Sequence, residues 1–483
     1  NGKKKFWSTI KGVNKMKKEK KRIRLSKISF SLIFAIIILI LLKYNSRVKY
    51  MGVKLRKFLL LFLDIFFLYF SLYLALFLRH FDKFEIDIFF SHLFPFTILF
   101  FIWIIVFYAF GFYDFEFLKT TLISKTLSIA TFNFILGVFL FYFIPEFQIA
   151  PKTILILSSL IFGIFFFLLR KFFLSFFSVH LLEKVAIIGN GPEIEKFKKE
   201  IKEKPFLGYE VTKLDLSKDL FTQIEKEKIK TIVFTKELES DSKFQNLFYN
   251  LLFLGVNFSD FPSFYEKVAE KIPATSISNL WFFENLKEGE KRIYDKLKRI
   301  LDITFASIIL ILTLPLWLLI ALAIKIEDRG TVFYFQDRVG KNKKVFKLIK
   351  FRSMVKEAEK EGPKWAEIED QRVTKVGKFL RRFHLDEIPQ MINVIKGDIS
   401  LVGPRPERPE FVEKLEKEIP YYNLRHIIKP GFTGWAQIKF RYARSIEDSL
   451  EKFQYDLYYI KNRSLFLDLK ILLKTFQLFL KKE

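Results

Sequence analysis

Four long apolar runs, at about residues 58–78, 93–110, 127–144 and 153–169, constrain this chain more than any other feature. A bilayer's hydrocarbon core takes about 20 apolar residues of helix to cross, so these runs predict a bundle of four membrane helices, the fourth close to the lower length limit. Composition agrees: hydrophobic residues are 51% of the 483, Phe alone occurs 62 times, and a soluble core needs less. Lys54, Arg56 and Lys57 precede the first run, Lys119 and Lys125 separate the second from the third, and Arg170 and Lys171 follow the fourth. Basic residues collect on the cytoplasmic side of membrane proteins, which places both ends of the bundle there. Asp64 is the one acid well inside a run, without a visible charged partner, so the bundle reads as an anchor or dimerisation element rather than a transporter. A shorter run at 28–42, with dense Lys and Arg on both sides, reads as an interfacial helix or a leader.

The formal charge of +28 cannot lie in hydrocarbon. It has to face anionic lipid, nucleic acid or a phosphorylated substrate. No helix-turn-helix or aromatic RNA motif is visible and the basic residues interleave with Phe, which favours a lipid surface over nucleic acid. Zero Cys excludes disulfides and thiolate chemistry, and five His make a His-based metal site a poor expectation. Catalysis would rest on carboxylates and bases.

Two further units follow. "KVAIIGNGPEI", 184–194, is a short strand running into Gly189-Asn190-Gly191 and a polar helix, as in dinucleotide-binding folds. With "YEVTKL", "KTIVFT" and "GVNFSDF" it predicts a small Rossmann-like α/β domain over 183–285. The ligand fingerprint is poor: Ile194 occupies the third glycine position, and Asp215 lacks the spacing of a ribose-binding acid. A structural or regulatory module is the alternative. Residues 297–328 are then apolar enough for one crossing, but Pro315 removes a helical donor and disfavours helix in Leu314. A simple span would carry the basic remainder outside. The expectation is a re-entrant helix broken at Leu314-Pro315 that leaves residues 291–483 on the cytoplasmic face.

In that last unit "HLDEIPQ" sets Asp386 beside Glu387. Neighbouring helical residues diverge by about 100°, so one carboxylate can attack while the other holds a divalent ion. Arg381 lies about 1.4 turns earlier, and "GPRPERP" at 403–409 carries Arg405 and Arg408 on a rigid turn. Arg338, Lys341, Lys343, Lys344, Lys350 and Arg352 supply a basic surface that serves either lipid or phosphate. A carboxylate nucleophile, a metal ligand and arginine clamps are the parts that phosphoryl-linked group transfer needs.

The ordered blocks "QDRVG", "FKLIKFRSM", "RVTKVGKFLRRFHLDEIPQMINVIKGDISLVGPRPE", "KPGFTGWAQI" and "DLYYIKNRSLFLDLKILLKT" resemble the monotopic phosphoglycosyl transferases, the polyprenyl-phosphate sugar-1-phosphate transferases of bacterial surface polysaccharide assembly. The bundle and the degenerate α/β domain resemble that family's large multidomain subgroup. The resemblance implies a multidomain membrane protein: a basic leader (1–50), a transmembrane bundle (51–175), the Rossmann-like domain (183–285) and a mostly α-helical monotopic catalytic domain (291–483). It implies Asp386 as nucleophile toward a UDP-sugar, Glu387 as the Mg²⁺ ligand, polyprenyl phosphate as acceptor, and UMP as the leaving product. Arg381, Pro404, Arg405 and Pro406, with Arg338 and Arg352, are expected to line the phosphate pocket. It further implies an inner-membrane enzyme facing the cytoplasm, and a homodimer through the middle domain. A non-catalytic scaffold of the same assembly system is the rival reading. The chain departs from the family in three places: Leu314 stands where Ser usually precedes the proline, removing a hydroxyl bond at the bend, and Lys343 and Phe440 replace glycines common in members.

Overall fold

A computed structural model describes residues 53–113, 122–143, 152–179, 182–204, 207–214, 219–235, 249, 251–355, 372–440 and 445–480. The leader at 1–50, Lys119 and Asp215 lie outside the described residues. The bundle consists of α1 (Val53–His80), α2 (Ile86–Ala109), α3 (Leu122–Phe143) and α4 (Lys152–Val179). Leu68, Leu72, Phe100, Trp103, Phe107 and Phe166 fill its centre, while Phe62, Phe94, Phe101 and Ile164 point outward as a lipid-facing skin. The apolar stretch of α3, Thr126–Tyr142, is shorter than the others; the helices long and apolar enough to cross are α1, α2, α4 and the later helix that contains Pro315.

The charge reading of the bundle needs correction. Arg170 is not an exposed flank and Asp64 is not without a charged partner: both are fully buried, with Arg170 Nη2 donating to Asp64 Oδ2 at 2.6 Å and Nη1 donating to Oδ1. The guanidinium also lies 3.7 Å from the Phe166 ring centre. Each charge would be prohibitive alone in an apolar interior; the bidentate pair offsets both, although Arg170 Nε is left without an acceptor.

The second unit is a parallel sheet in the order β2-β1-β3-β4, built from β1 (Glu183–Ile188), β2 (Tyr209–Thr212), β3 (Thr231–Phe234) and β4 (Asn257–Asp260). Helices α5 (Pro192–Glu203) and α7 (Phe261–Ala269) share one face and α6 (Leu220–Glu227) packs elsewhere on the sheet. Ile194, at the third glycine position, is a core residue packed with Phe197 and Phe264. The third glycine of such folds serves close packing of helix on strand; here a core side chain fills that contact instead. After α7, Ile272, Ala274 and Phe282 of α8 (Asn279–Asn285) join a core shared with the C-terminal unit.

That unit begins with α9 (Arg292–Asp328), one helix of 37 residues with Pro315 inside it. The expected break at Leu314-Pro315 is therefore not an interruption of helix. Proline costs one amide donor and crowds the carbonyl four residues back. Thr313 Oγ1 donates to Ile309 O at 2.7 Å and receives Trp317 Nε1 at 3.3 Å. Thr313 thus back-bonds beside the proline in the geometry that bends helices, while the carbonyl that Pro315 itself leaves without a helical donor is that of Ile311. Downstream come the antiparallel pair β5 (Phe333–Val339) and β6 (Val345–Phe351), α10 (Lys375–Arg382), α11 (Gln390–Lys396), β7 (Ser400–Val402), α12 (Pro409–Glu418), β8 (Gly431–Thr433), α13 (Trp435–Lys439), α14 (Ile446–Asn462) and α15 (Leu465–Leu480). Leu467 and Ile471 of α15 are buried in the catalytic core, while Phe466 meets Tyr108 of α2 with ring centres 5.8 Å apart.

Candidate active site

Helix α10 begins at Thr374, whose hydroxyl caps the Gly377 amide at 2.9 Å. Glycine is required at 377 because a Cβ there would lie 2.0 Å from Ser353 O, so α10 seats directly on the segment after β6. His384, at φ 53°, ends the helix in a left-handed residue and turns the chain into a single 3₁₀ turn, Leu385–Glu387. Pro389 follows, then α11, pinned by Asn393: its Oδ1 accepts from Ile349 N at 3.0 Å and its Nδ2 donates to Lys347 O at 2.8 Å. This clamp sets β6 beside the acidic pair.

Glu387 Oε1 accepts from Lys350 Nζ at 3.0 Å and from Arg405 Nη2 at 2.7 Å. Burial pushes this carboxyl up, but Arg405 and Lys350 outweigh it and hold it far below the usual carboxylate range. Asp386 goes the other way. It is 6% exposed, its Oδ1 has no hydrogen-bond partner, and burial followed by the charge of Glu387 raises its pKa against the pull of Lys350, Arg381 and His384. Two adjacent carboxyls thus differ in role: one is locked and ionised, the other is bare.

The Pro-Arg-Pro turn is held on three sides. Gly431 N donates to Pro404 O at 2.9 Å and Gly403 N to Thr433 O at 2.8 Å, joining the turn to β8. Arg338 Nη1 donates to Pro406 O at 2.9 Å, and Arg425 Nη2 to Arg405 O at 2.9 Å while also pairing with Asp456. A turn so fixed aims Arg405 at Glu387. Arg381 donates through Nε to Ser353 Oγ at 2.9 Å. Arg352 is not brought to the carboxylates by any such bond: its guanidinium meets Asp328 at the end of α9.

The structure adds three residues to those expected. Lys350 read as part of a basic surface, yet it is the second clamp on Glu387. Arg425 stands alone in an apolar stretch, a signal of a buried partner that its position 31 residues before Asp456 does not reveal. Gln390, four residues after Asp386, is 2% exposed with Nε2 unpartnered.

Among the described residues no group of three or more His, Asp or Glu is placed to hold a metal. Mg²⁺ needs only one or two carboxylates and takes its other oxygens from water and phosphate. Glu387 fits that donor set as its one protein carboxylate.

Residues 293–482 match the profile of a family described as bacterial sugar transferase. A UDP-N-acetylgalactosamine-undecaprenyl-phosphate N-acetylgalactosaminephosphotransferase of Aeromonas hydrophila is 48% identical over 183 residues, 38% of this chain and 43% of the relative. A UDP-glucose:undecaprenyl-phosphate glucose-1-phosphate transferase of Caulobacter vibrioides is 40% identical over 185 residues, 38% of this chain and 68% of the relative. An enzyme of the same description from Klebsiella pneumoniae is 34% identical over 316 residues, 60% of this chain and 66% of the relative, a match too long for the C-terminal unit alone. The matched region thus spans less than half of the Aeromonas protein's length.

Proposed function

The chain belongs to the bacterial sugar transferase family, and on that footing we propose that it moves a sugar-1-phosphate from a UDP-sugar to polyprenyl phosphate in two steps. In the first, an Asp386 carboxylate oxygen attacks the β-phosphorus. The bond from that phosphorus to the bridging oxygen breaks and UMP leaves with the electron pair. In the second, a phosphate oxygen of the polyprenyl acceptor attacks the same phosphorus and the Asp386 carboxylate departs, leaving polyprenyl diphosphate-sugar. The observation that carries this reading is the bare, buried Oδ1 of Asp386 beside a Glu387 that Arg405 and Lys350 hold ionised. Arg405 and Lys350 would orient the diphosphate oxygens and offset developing charge, and burial excludes competing water. Glu387 would hold Mg²⁺, which when bound offsets the negative charge of the diphosphate.

The membrane arrangement is part of the proposal. Arg299 on the first half of α9 donates to Val394 O at 2.6 Å and Ile395 O at 2.7 Å, while Trp317 on the second half meets the Phe351 ring at 5.2 Å and Glu327 accepts from Lys375 N at 2.7 Å. Residues 28 apart lie about 42 Å apart on a straight helix, yet both regions rest on one small domain. That supports a helix bent at Pro315 which enters and leaves the same membrane face, the cytoplasmic one by the distribution of basic residues. A homodimer belongs to the same reading and is checked by light scattering.

The test is UMP release from UDP-N-acetylgalactosamine and UDP-glucose by the full chain in detergent with Mg²⁺ and undecaprenyl phosphate, beside Asp386→Asn. Release that needs lipid, metal and Asp386 supports the transfer. Folded protein that releases no UMP from any UDP-sugar overturns it.

A further inference from the structure

The Rossmann-like domain meets the C-terminal unit through many contacts, and one series of them runs through Glu270 and Trp435 to the turn of Arg405. At the end of α7, Glu270 takes a left-handed conformation, φ 53°, which glycine favours and a Glu adopts only at a cost. Its backbone carbonyl accepts from Trp435 Nε1 at 2.9 Å. Its carboxylate pairs with Lys439 at 2.8 Å and Lys470 at 3.5 Å, and both ammonium groups lie 4.8 Å from the Trp435 ring centre. Against its burial, Lys439 and Lys470, with a smaller contribution from the charge of Lys57 on α1, favour the ionised form of that carboxylate. Trp435, 1% exposed, is separated from β8 by Gly434 alone, and β8 carries the Gly403 and Pro404 bonds that fix the turn of Arg405.

From this series we propose that Glu270 is a positioning residue for the transfer: it seats Trp435, Trp435 fixes β8, and β8 sets the turn that aims Arg405 at Glu387. The inference rests on the reaction proposed above. It gives the middle domain a part in catalysis that needs no bound nucleotide. The left-handed backbone also makes a clean substitution available. Glu270→Gly relieves the backbone and keeps the carbonyl that accepts from Trp435 Nε1, but removes the carboxylate that holds Lys439 and Lys470 beside the indole, so it tests the lysine pairs alone. Trp435→Phe removes the indole donor while keeping a ring. Glu266→Gln is the control, because Glu266 binds Lys461 and Asn462 of α14 across the same interface rather than Trp435 or β8.

The experiment pairs amide hydrogen exchange at Gly403 and Gly431 with UMP release, using the full chain in detergent. In Glu270→Gly and Trp435→Phe both amides are expected to exchange at least about tenfold faster, and kcat/KM for the UDP-sugar to fall about tenfold, since small misplacements of binding groups are costly. The double variant should lose no more than the worse single, as links of one series do. Glu266→Gln should leave both readouts near wild type. Unchanged exchange at Gly403 and Gly431, or equal losses in Glu266→Gln, overturns the proposal. Faster exchange in a protein whose wild type releases no UMP overturns the transfer reaction and not the positioning.

Discussion

Gly431→Ala puts the geometry of the Pro-Arg-Pro turn under direct test. A Cβ at 431 would lie 2.0 Å from Gly403 N and 2.5 Å from Thr433 O, both backbone atoms that cannot swing aside. Ordinary contact begins at 3.4 Å, so β7 and β8 have to part by about 1.4 Å. The bond from Gly431 N to Pro404 O, now 2.9 Å, and that from Gly403 N to Thr433 O, now 2.8 Å, would both stretch beyond hydrogen-bond range. Two net hydrogen bonds are worth about 1–3 kcal/mol of stability. The catalytic cost is larger, because a shift of about 1 Å in a positioning group commonly costs about a hundredfold in rate. Arg405 sits on the moved turn, so UMP release should drop by about that factor while the thermal midpoint falls by only a few degrees. The assay is kcat/KM for UMP release below the midpoint of both proteins. A Gly431→Ala protein with wild-type kcat/KM would refute the reasoning that β8 sets the turn.

The titration of Asp386 gives a signed expectation. Its folded pKa is raised, so the ionised form costs stability above that pKa, and Asp386→Asn should raise the thermal midpoint at neutral pH while abolishing UMP release. Because attack needs the carboxylate, kcat/KM should decline as pH falls through the raised pKa, and Lys350→Met, which removes a compensating charge, should move that acid limb to higher pH. Gln390→Leu should cut activity at least about tenfold without loss of stability, since its Nε2 has no partner in the resting structure; a fully active variant, measured by UMP release, would remove Gln390 from the site. In the bundle, Asp64→Asn strands a buried Arg170 and should cost about 3–5 kcal/mol, seen as a shorter half-life in detergent. Asp64→Leu with Arg170→Met should recover most of it.

Parts of this architecture are legible in a single sequence because they depend on local periodicity. Apolar runs of membrane length, short strands before Gly189 and the mutual spacing of Asp386, Glu387 and Arg405 all follow from residues near one another. Ile194, at the third glycine position, is a core residue of the α/β unit. The misreadings share a cause as well. Asp64 and Arg170 stand 106 positions apart, and flank statistics assign Arg170 to the water side because nothing local reveals an acid opposite it. Pro315 read as a break because proline costs one helical bond, yet the other bonds of the 37-residue helix carry it through that point.

The candidate site divides along the same line. The identities of the acidic pair and of the arginine turn are fixed by sequence, because which residue can attack, ionise or clamp is a property of its own chemistry. Which carboxyl is locked and which is bare was decided by the fold alone. Asn393 brings β6 to α11 and so delivers Lys350 to Glu387, and β8 with Arg338 and Arg425 orients Arg405. Charges a few ångströms apart change a neighbour's pKa steeply with distance, and those distances exist only once strands and helices remote in the chain have packed together.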